Sequence, residues 1–371
     1  MASSFGHLFR VTTFGESHGE AVGAIVDGCP PGLEIDANAI QSELARRRPG
    51  QSPLVSPRVE PDELEILSGL FNGRTLGSPI CLQVRNLDCK PADYETIEDA
   101  YRPGHADYST EAKLGLRDPR GGGRASARET IGRVAAGGIA RQLLTRDVGV
   151  EVIAWVESIG KVGSSRPDQG SISREMIDAS ALRCPDEEAC SRMEEALVEA
   201  REHGDSLGGV VACVAKAVPA GWGEPVFDKL TSDLAKALMS IPAARGFEVG
   251  EGFAAAAMNG SEHNDSMLFR DGKVRTARNI AGGLSGGIAT GEEIRIRVAF
   301  KPPSSIARTQ ETITRTGAEK HLLISGRHDP CVAPRAVPVV EAMVLLVLAD
   351  HYLRHRALTG WPGPMAGPAA P

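Results

Sequence analysis

Two halves of this chain follow the same pattern, and that repetition constrains the fold more than any single motif. Gly15-Glu16-Ser17-His18-Gly19 leads through an alternating apolar run to Pro30-Pro31-Gly32. Gly204-Asp205-Ser206-Leu207-Gly208 leads through a similar run to Pro219-Ala220-Gly221 at the same spacing. Each is followed by a segment whose apolar positions recur at three and four residues, Ala37 to Arg47 and Phe227 to Ser240, which predicts a helix. Leu67-Ser68-Gly69 with Gly73 and Gly77 before Ile80, Leu82 and Val84 resembles Leu284-Ser285-Gly286 with Gly287 and Gly291 before Ile294, Ile296 and Val298; both read as β-hairpin elements. A polar loop and a long apolar helix close each half: 120 to 128 before Val134 to Leu144, and Gly326 to Arg335 before Val337 to Leu353. The expected organisation is one domain over 1–371 with pseudo-repeats at about 5–150 and 200–356. The polar segment Gly160 to Glu202 joins them and carries a charged helix, Glu187 to Glu202; the Gly-, Pro- and Ala-rich tail, 357–371, is expected to be disordered.

Within each half the order is strand, helix, strands, loop, long helix. A doubly wound parallel sheet would alternate strands and helices regularly, so the order predicts an α+β fold with two antiparallel sheets and helices between them. The two long helices are apolar nearly all round, which places them in the middle of the molecule.

The chain has 371 residues, 42% of them hydrophobic, enough for a large core in one elaborate domain. Its net charge of −7 argues against a nucleic acid or an acidic membrane as partner. The arginines are instead concentrated, as Arg46-Arg47-Arg48 and as Arg117, Arg120, Arg124, Arg128 and Arg133. Local basic clusters on an acidic chain predict a pocket for a small anion. Seven scattered cysteines without a CxxC pair suggest neither a disulfide framework nor a zinc site. The N-terminus lacks a basic segment followed by an apolar one, and Val337 to Leu353 is interrupted by Pro338, Glu341, Asp350 and His351. The reading is a cytoplasmic protein whose last helix is core.

Arg120-Gly121-Gly122-Gly123-Arg124-Ala125-Ser126-Ala127-Arg128 opens the first long helix. Glycines let backbone N–H groups approach a ligand, a helix start adds a positive dipole end, and arginines add forked donors for phosphate or carboxylate. A solvated basic turn is the alternative. His18 is flanked by glycine, and its counterpart in the second half is Leu207, so the fold does not need an imidazole there. His105 stands in the loop signature Arg102-Pro103-Gly104-His105-Ala106-Asp107. Metal-ligand spacing is lacking around both, which leaves acid and base roles near neutral pH. Gly282-Gly283-Leu284-Ser285-Gly286-Gly287 and Lys301-Pro302-Pro303-Ser304-Ser305 match neither a phosphate loop of the Walker kind nor a dinucleotide fingerprint; alone, these glycines read as tight turns.

Taken in order, Phe14 to Gly19, Arg46-Arg47-Arg48-Pro49-Gly50, Arg102 to Asp107, Gly121 to Thr130, Gly204-Asp205-Ser206, Pro225-Val226-Phe227-Asp228, Lys301 to Ser305 and Gly326-Arg327-His328-Asp329-Pro330-Cys331 make the chain resemble the chorismate synthase family from about residue 5 to 356. The resemblance implies a lyase that converts 5-enolpyruvylshikimate 3-phosphate to chorismate and phosphate with reduced FMN, the last step of the shikimate pathway. It implies a homotetramer with a β-α-β sandwich fold. Arg48, Arg102, Arg128 and Arg335 would hold the substrate, His18 would protonate the departing phosphate, and His105 would keep the flavin in the required protonation state. Asp329, near flavin N5, would help remove the ring proton. Arg124, Ala125, Ser126, Pro242, Ala243, Gly286, Lys301, Pro302, Pro303, Ser304, Ser305 and Arg327 would contact FMN, with no metal. Many bacterial members carry Asn at Pro242, which leaves backbone contact there. Contact with a nicotinamide dinucleotide is implied at Arg47, but Pro53 stands where members often have a basic residue. The resemblance therefore predicts that NADPH acts only indirectly, through an external flavin reductase.

Overall fold

A computed structural model of the chain describes residues 3–50, 60–87, 98–164, 172–324 and 329–360. Along the first half run β1 (Ser4–Phe5), β2 (Arg10–Phe14), β3 (Ala21–Asp27), α1 (Ala37–Arg47), β4 (Leu64–Ile66), the small hairpin β5 (Leu70–Phe71) and β6 (Arg74–Thr75), β7 (Ile80–Arg85), α2 (Asp107–Leu114) and α3 (Thr130–Val148). The connecting region holds β8 (Glu151–Ile159), β9 (Val162–Gly163), α4 (Arg174–Ala179) and α5 (Glu187–Glu202). The second half contains β10 (Gly209–Lys216), α6 (Leu230–Met239), β11 (Ala244–Val249), α7 (Gly260–His263) and the hairpins β12 (Met267–Arg270) with β13 (Lys273–Thr276) and β14 (Leu284–Ser285) with β15 (Ile288–Ala289). It ends with β16 (Ile294–Phe300), the hairpin β17 (Gln310–Ile313) with β18 (Glu319–Leu322), and α8 (Ala333–Thr359).

Two five-stranded sheets result, ordered β1-β2-β3-β7-β4 and β11-β16-β10-β8-β9. Every ladder among the described residues is antiparallel. The α+β expectation holds. Helix α3 lies on β3 of the first sheet, α8 lies on β8 and β10 of the second, and the two helices pack on each other. Both sheets thus bury their inner faces on a shared helical layer. Gly137 of α3 permits the close helix crossing: a Cβ there would sit 2.5 Å from Cβ of Ala342 on α8.

The helix boundaries follow from local chemistry. Asp36 accepts from the backbone N–H groups of Asn38 and Ala39 and starts α1 where its periodicity begins. Gly149 and Gly360, both left-handed, end α3 and α8. The expected start at Phe227 is corrected to Leu230, since Phe227 is 90% exposed. Helix α8 continues through Ala357–Thr359, so those residues are helix rather than tail; 361–371 lie outside the described residues. α8 is the one described helix long and apolar enough to cross a membrane, and 94% of its apolar window is buried inside the protein.

Candidate active site

The triple glycine lies between two histidines. Strand β2 ends at Phe14, and the chain turns at Gly15 so that Ser17 N–H reaches the Gly123 carbonyl at 3.4 Å. A Cβ on Gly121 would fall 2.3 Å from His18 Cε1, and one on Gly122 would fall 2.9 Å from His105 Cε1. Ordinary carbon contacts are about 3.5–4.0 Å, so no side chain fits at either position. Both glycines also take positive φ, 65° and 93°. The loop brings His18 and His105, distant in sequence, to adjacent residues of one backbone strip.

Each histidine is held by neighbours. Ser17 Oγ lies 3.1 Å from His18 Nδ1. Asp107 accepts from Arg102 Nε and Nη2, both at 2.7 Å, and lies 2.9 Å from His105 Nδ1. With Nδ1 turned to this carboxylate, the opposite ring nitrogen faces Gly122. Burial works against the Asp107 charge, but hydrogen bonds from Arg102 and His105 outweigh it and hold the carboxyl well below the usual range. Arg102 is thus bound mainly to Asp107.

Arg124 points away from the loop. Its guanidinium donates to the carbonyls of Gly15 and Thr13 and to Thr13 Oγ1, at 3.0, 3.2 and 2.8 Å, and so anchors the turn that carries His18. Ala125 N–H closes on the Gly122 carbonyl, and Ser126 caps the short 3-10 turn that precedes α3. Glu129, unremarked in the sequence, accepts from Thr13 and from Arg133, which in turn bonds Ser240.

Just beyond Ser240, Pro242 and Ala243 form the turn into β11; the Ala243 carbonyl accepts from Lys301 N–H at 2.9 Å. Ser304 Oγ donates to the Gly104 carbonyl at 2.7 Å, and Ser206 Oγ donates to the Pro303 carbonyl at 2.8 Å. The 301–305 segment is therefore tied to the His105 loop and to the second-half glycine motif. Burial, then the charge of Arg245, pulls Lys301 below the usual lysine value. Among the described residues neither cation has a carboxylate within ion-pair distance. Two adjacent uncompensated cations beside serine hydroxyls suit a phosphate monoester such as that of FMN. Gly286 and Gly287 form the two-residue turn of the β14–β15 hairpin, both at positive φ, and Gly287 packs at Lys229 before α6.

A second cluster gathers arginines from three helix ends. Arg47 at the end of α1 reaches Asp62 at 2.5 Å, Arg128 reaches Asp62 at 3.0 Å and Glu60 at 2.5 Å, and Arg335 pairs with Asp329. Arg335 Nε also donates to the Arg47 carbonyl at 3.2 Å. Burial depresses the Arg47 pKa to about 10, with Arg335 and Arg128 adding to the effect and Asp62 opposing it. Arg48, the exposed C-cap of α1, stands at the edge. Asn86 joins the two clusters: its amide donates to the carbonyls of Glu16 and Gly19, and its oxygen accepts from Arg128.

The structure therefore brings together His18, His105, Arg102, Ala125, Lys301 and Ser304 around the glycine strip, and Arg47, Arg128, Arg335 and Asp329 beside it. Arg327 and Pro53 lie outside the described residues. Sequence reading missed Glu60, Asp62 and Asn86 because each acts through a partner distant in sequence. Asp107 lay inside a motif already noted, two residues from a histidine.

A chorismate synthase family model matches residues 9–353. A chorismate synthase of Synechococcus sp. strain WH7803 is 57% identical over 96% of this chain and 98% of its own. That of Synechococcus elongatus is 55% identical over 97% and 100%. A crystal structure of a chorismate synthase superposes with a TM-score of 0.74 at 33% identity, covering 94% of this chain and 93% of the other. By these matches along nearly its whole length, the chain belongs to the chorismate synthase family.

Proposed function

We propose that this chain eliminates phosphate from 5-enolpyruvylshikimate 3-phosphate in an anti-1,4 sense, giving chorismate, with reduced FMN as cofactor. The observation that carries the reading is the glycine strip packed against His18 on one side and His105 on the other. Two imidazoles held at fixed places along one anion-seeking backbone can serve two groups at once, a departing phosphate and a flavin.

His18 is the proton donor to the phosphate oxygen as its bond to carbon breaks. His105, oriented by Asp107, would serve the bound flavin by keeping it in its reactive protonation state. Asp329 accepts the ring proton, and Arg335, its ion-pair partner, sets where its carboxylate lies. Arg48, Arg102, Arg128 and Arg335 supply positive charge for the substrate's phosphate and carboxylates. Arg128 is already bound by Glu60 and Asp62, so its part is chiefly to fix the shape of the cluster. When bound, reduced FMN supplies electron density as the carbon–oxygen bond breaks and recovers it, so the reaction has no net redox change. Lys301 and Ser304 would hold its phosphate, with Ala125, Ser126, Pro242, Ala243, Pro302, Pro303, Ser305 and the family-implied Gly286 and Arg327 along its length. Arg47, buried on Asp62, is poorly placed to meet NADPH, which fits supply of reduced flavin by a separate reductase.

The matching element order β3-α1-hairpin-β7-α3 and β10-α6-hairpin-β16-α8 supports a duplicated ancestral unit within one domain. We further propose a cytoplasmic homotetramer, as the family resemblance implies. The deciding test gives the purified protein the substrate and chemically reduced FMN without oxygen. Chorismate and phosphate should appear while the flavin stays reduced over many turnovers. No turnover refutes the reading, and one flavin oxidised per product makes the protein an oxidoreductase instead.

A further inference from the structure

Arg183 lies outside both clusters, yet it is buried and touches the helix ends that carry two of their arginines. Its Nη2 donates to the Arg46 carbonyl at 2.6 Å and its Nη1 to the Pro334 carbonyl at 2.7 Å. Arg47 and Arg335 are the next residues along each chain segment.

Both carbonyls need an external donor. Arg46 belongs to the last turn of α1, where carbonyls have no partner further along the helix. In α8 the N–H that would reach the Pro334 carbonyl belongs to position 338, and position 338 is proline. One planar fork fills both gaps. The fork is itself anchored: Arg183 takes φ 57°, its carbonyl accepts from Val156 N–H of β8 at 2.9 Å, and its N–H donates to the Ser180 carbonyl at 3.0 Å. Burial, and then the neighbouring charge of Arg46, lowers the Arg183 pKa to about 10, with Asp178 opposing.

We propose that Arg183 is a positioning residue for substrate binding: by bridging the ends of α1 and α8 it fixes the mutual placement of Arg47, Arg48 and Arg335. The inference rests on the proposed reading that this arginine cluster meets the substrate. Losing the bridge lets the two helix ends move apart and loosens the Arg335–Arg47 contact, while Lys301 and the flavin segments are left alone.

The test compares wild type, Arg183→Ala, Arg183→Lys and Arg183→Ala with Pro338→Ala in the anaerobic assay, measuring KM, kcat and FMN affinity separately. Losing a bond from a charged donor is expected to raise KM in Arg183→Ala about tenfold. FMN affinity should stay within about twofold and kcat within about threefold. Pro338→Ala restores the helical donor to the Pro334 carbonyl but not the link to α1, so the double variant should keep its raised KM while regaining part of any stability lost. Arg183→Lys, which reaches one carbonyl only, should fall between and gives the reading if Arg183→Ala does not fold. Unchanged KM in a folded variant, equal losses in KM and FMN affinity, or full recovery of KM by Pro338→Ala alone overturns the inference. A wild-type protein without turnover overturns the proposed function instead.

Discussion

Replacing Gly121 by alanine is the sharpest perturbation of the site, because the added atom has a known place to go. At φ 65° a non-glycine residue costs about 1–2 kcal/mol. The new Cβ would also stand 2.3 Å from His18 Cε1 and 2.4 Å from Nδ1, with Ser17 Oγ at 2.8 Å. To regain a contact of about 3.5 Å the imidazole must shift by roughly 1 Å. Displacing a reacting group by that much costs on the order of 10²-fold in rate, within the 10²–10⁴ that a general acid contributes. Gly115 supplies the control: it also has positive φ, 77°, but nothing lies within 4 Å of its Cβ position. Gly115→Ala should therefore lose a similar ~1–2 kcal/mol of stability and keep its activity. The assay is kcat under anaerobic conditions beside urea unfolding of both variants. If Gly121→Ala keeps kcat within about threefold of the control, His18 is not the group that the loop positions for chemistry.

Asp62→Asn leaves Arg47 and Arg128 buried without their shared carboxylate, and should cost about 3–5 kcal/mol in urea unfolding. Burial opposes the Asp62 charge, but Arg47 and Arg128 hold its pKa below the ordinary value. Its contribution is therefore complete above a pH of about 4 and is lost as pH falls from there toward the depressed folded value. Wild type should lose stability over that acid window, measured by unfolding at a series of pH values, and Asp62→Asn should lose less. Because Lys301 is depressed below the usual lysine value of about 10.4, FMN binding followed by fluorescence should weaken with rising pH before that value is reached. Lys301→Arg should remove that alkaline decline. At the helix crossing, Gly137→Ala should destabilise by about 1–3 kcal/mol despite alanine's better helix propensity, and Ala342→Gly in the same chain should return part of the loss by removing the opposing methyl group.

Much of the architecture was legible because local rules and burial agree. The period of α1, the two-glycine turn at Gly286 and the all-apolar faces of α3 and α8 each follow from residues within one or two turns of chain. Where local signals ran out, the sequence reading slipped: Phe227 looked like the start of a helix by periodicity but is exposed, and Ala357 looked like tail by composition but stays helical until Gly360. In sequence the glycine-arginine loop reads as a direct anion grip with forked side chains. In the fold Arg120 pairs with Asp118, Arg124 braces the β2 turn and Arg128 is enclosed by Glu60 and Asp62, so the arginines mostly build the loop's surroundings.

The kinds of element, their order and the motifs that carry chemistry are written locally in the chain, since periodicity and glycine placement act over a few residues. Which groups meet is set by the fold. His18 and His105 come to successive glycines, Asp107 ties Arg102 to His105, and Arg183 fills the carbonyl that Pro338 leaves without its helical donor. Those pairings depend on hydrogen-bond partners and ion pairs supplied from distant parts of the chain, and charge compensation in a buried site is settled by geometry, not by neighbours in sequence.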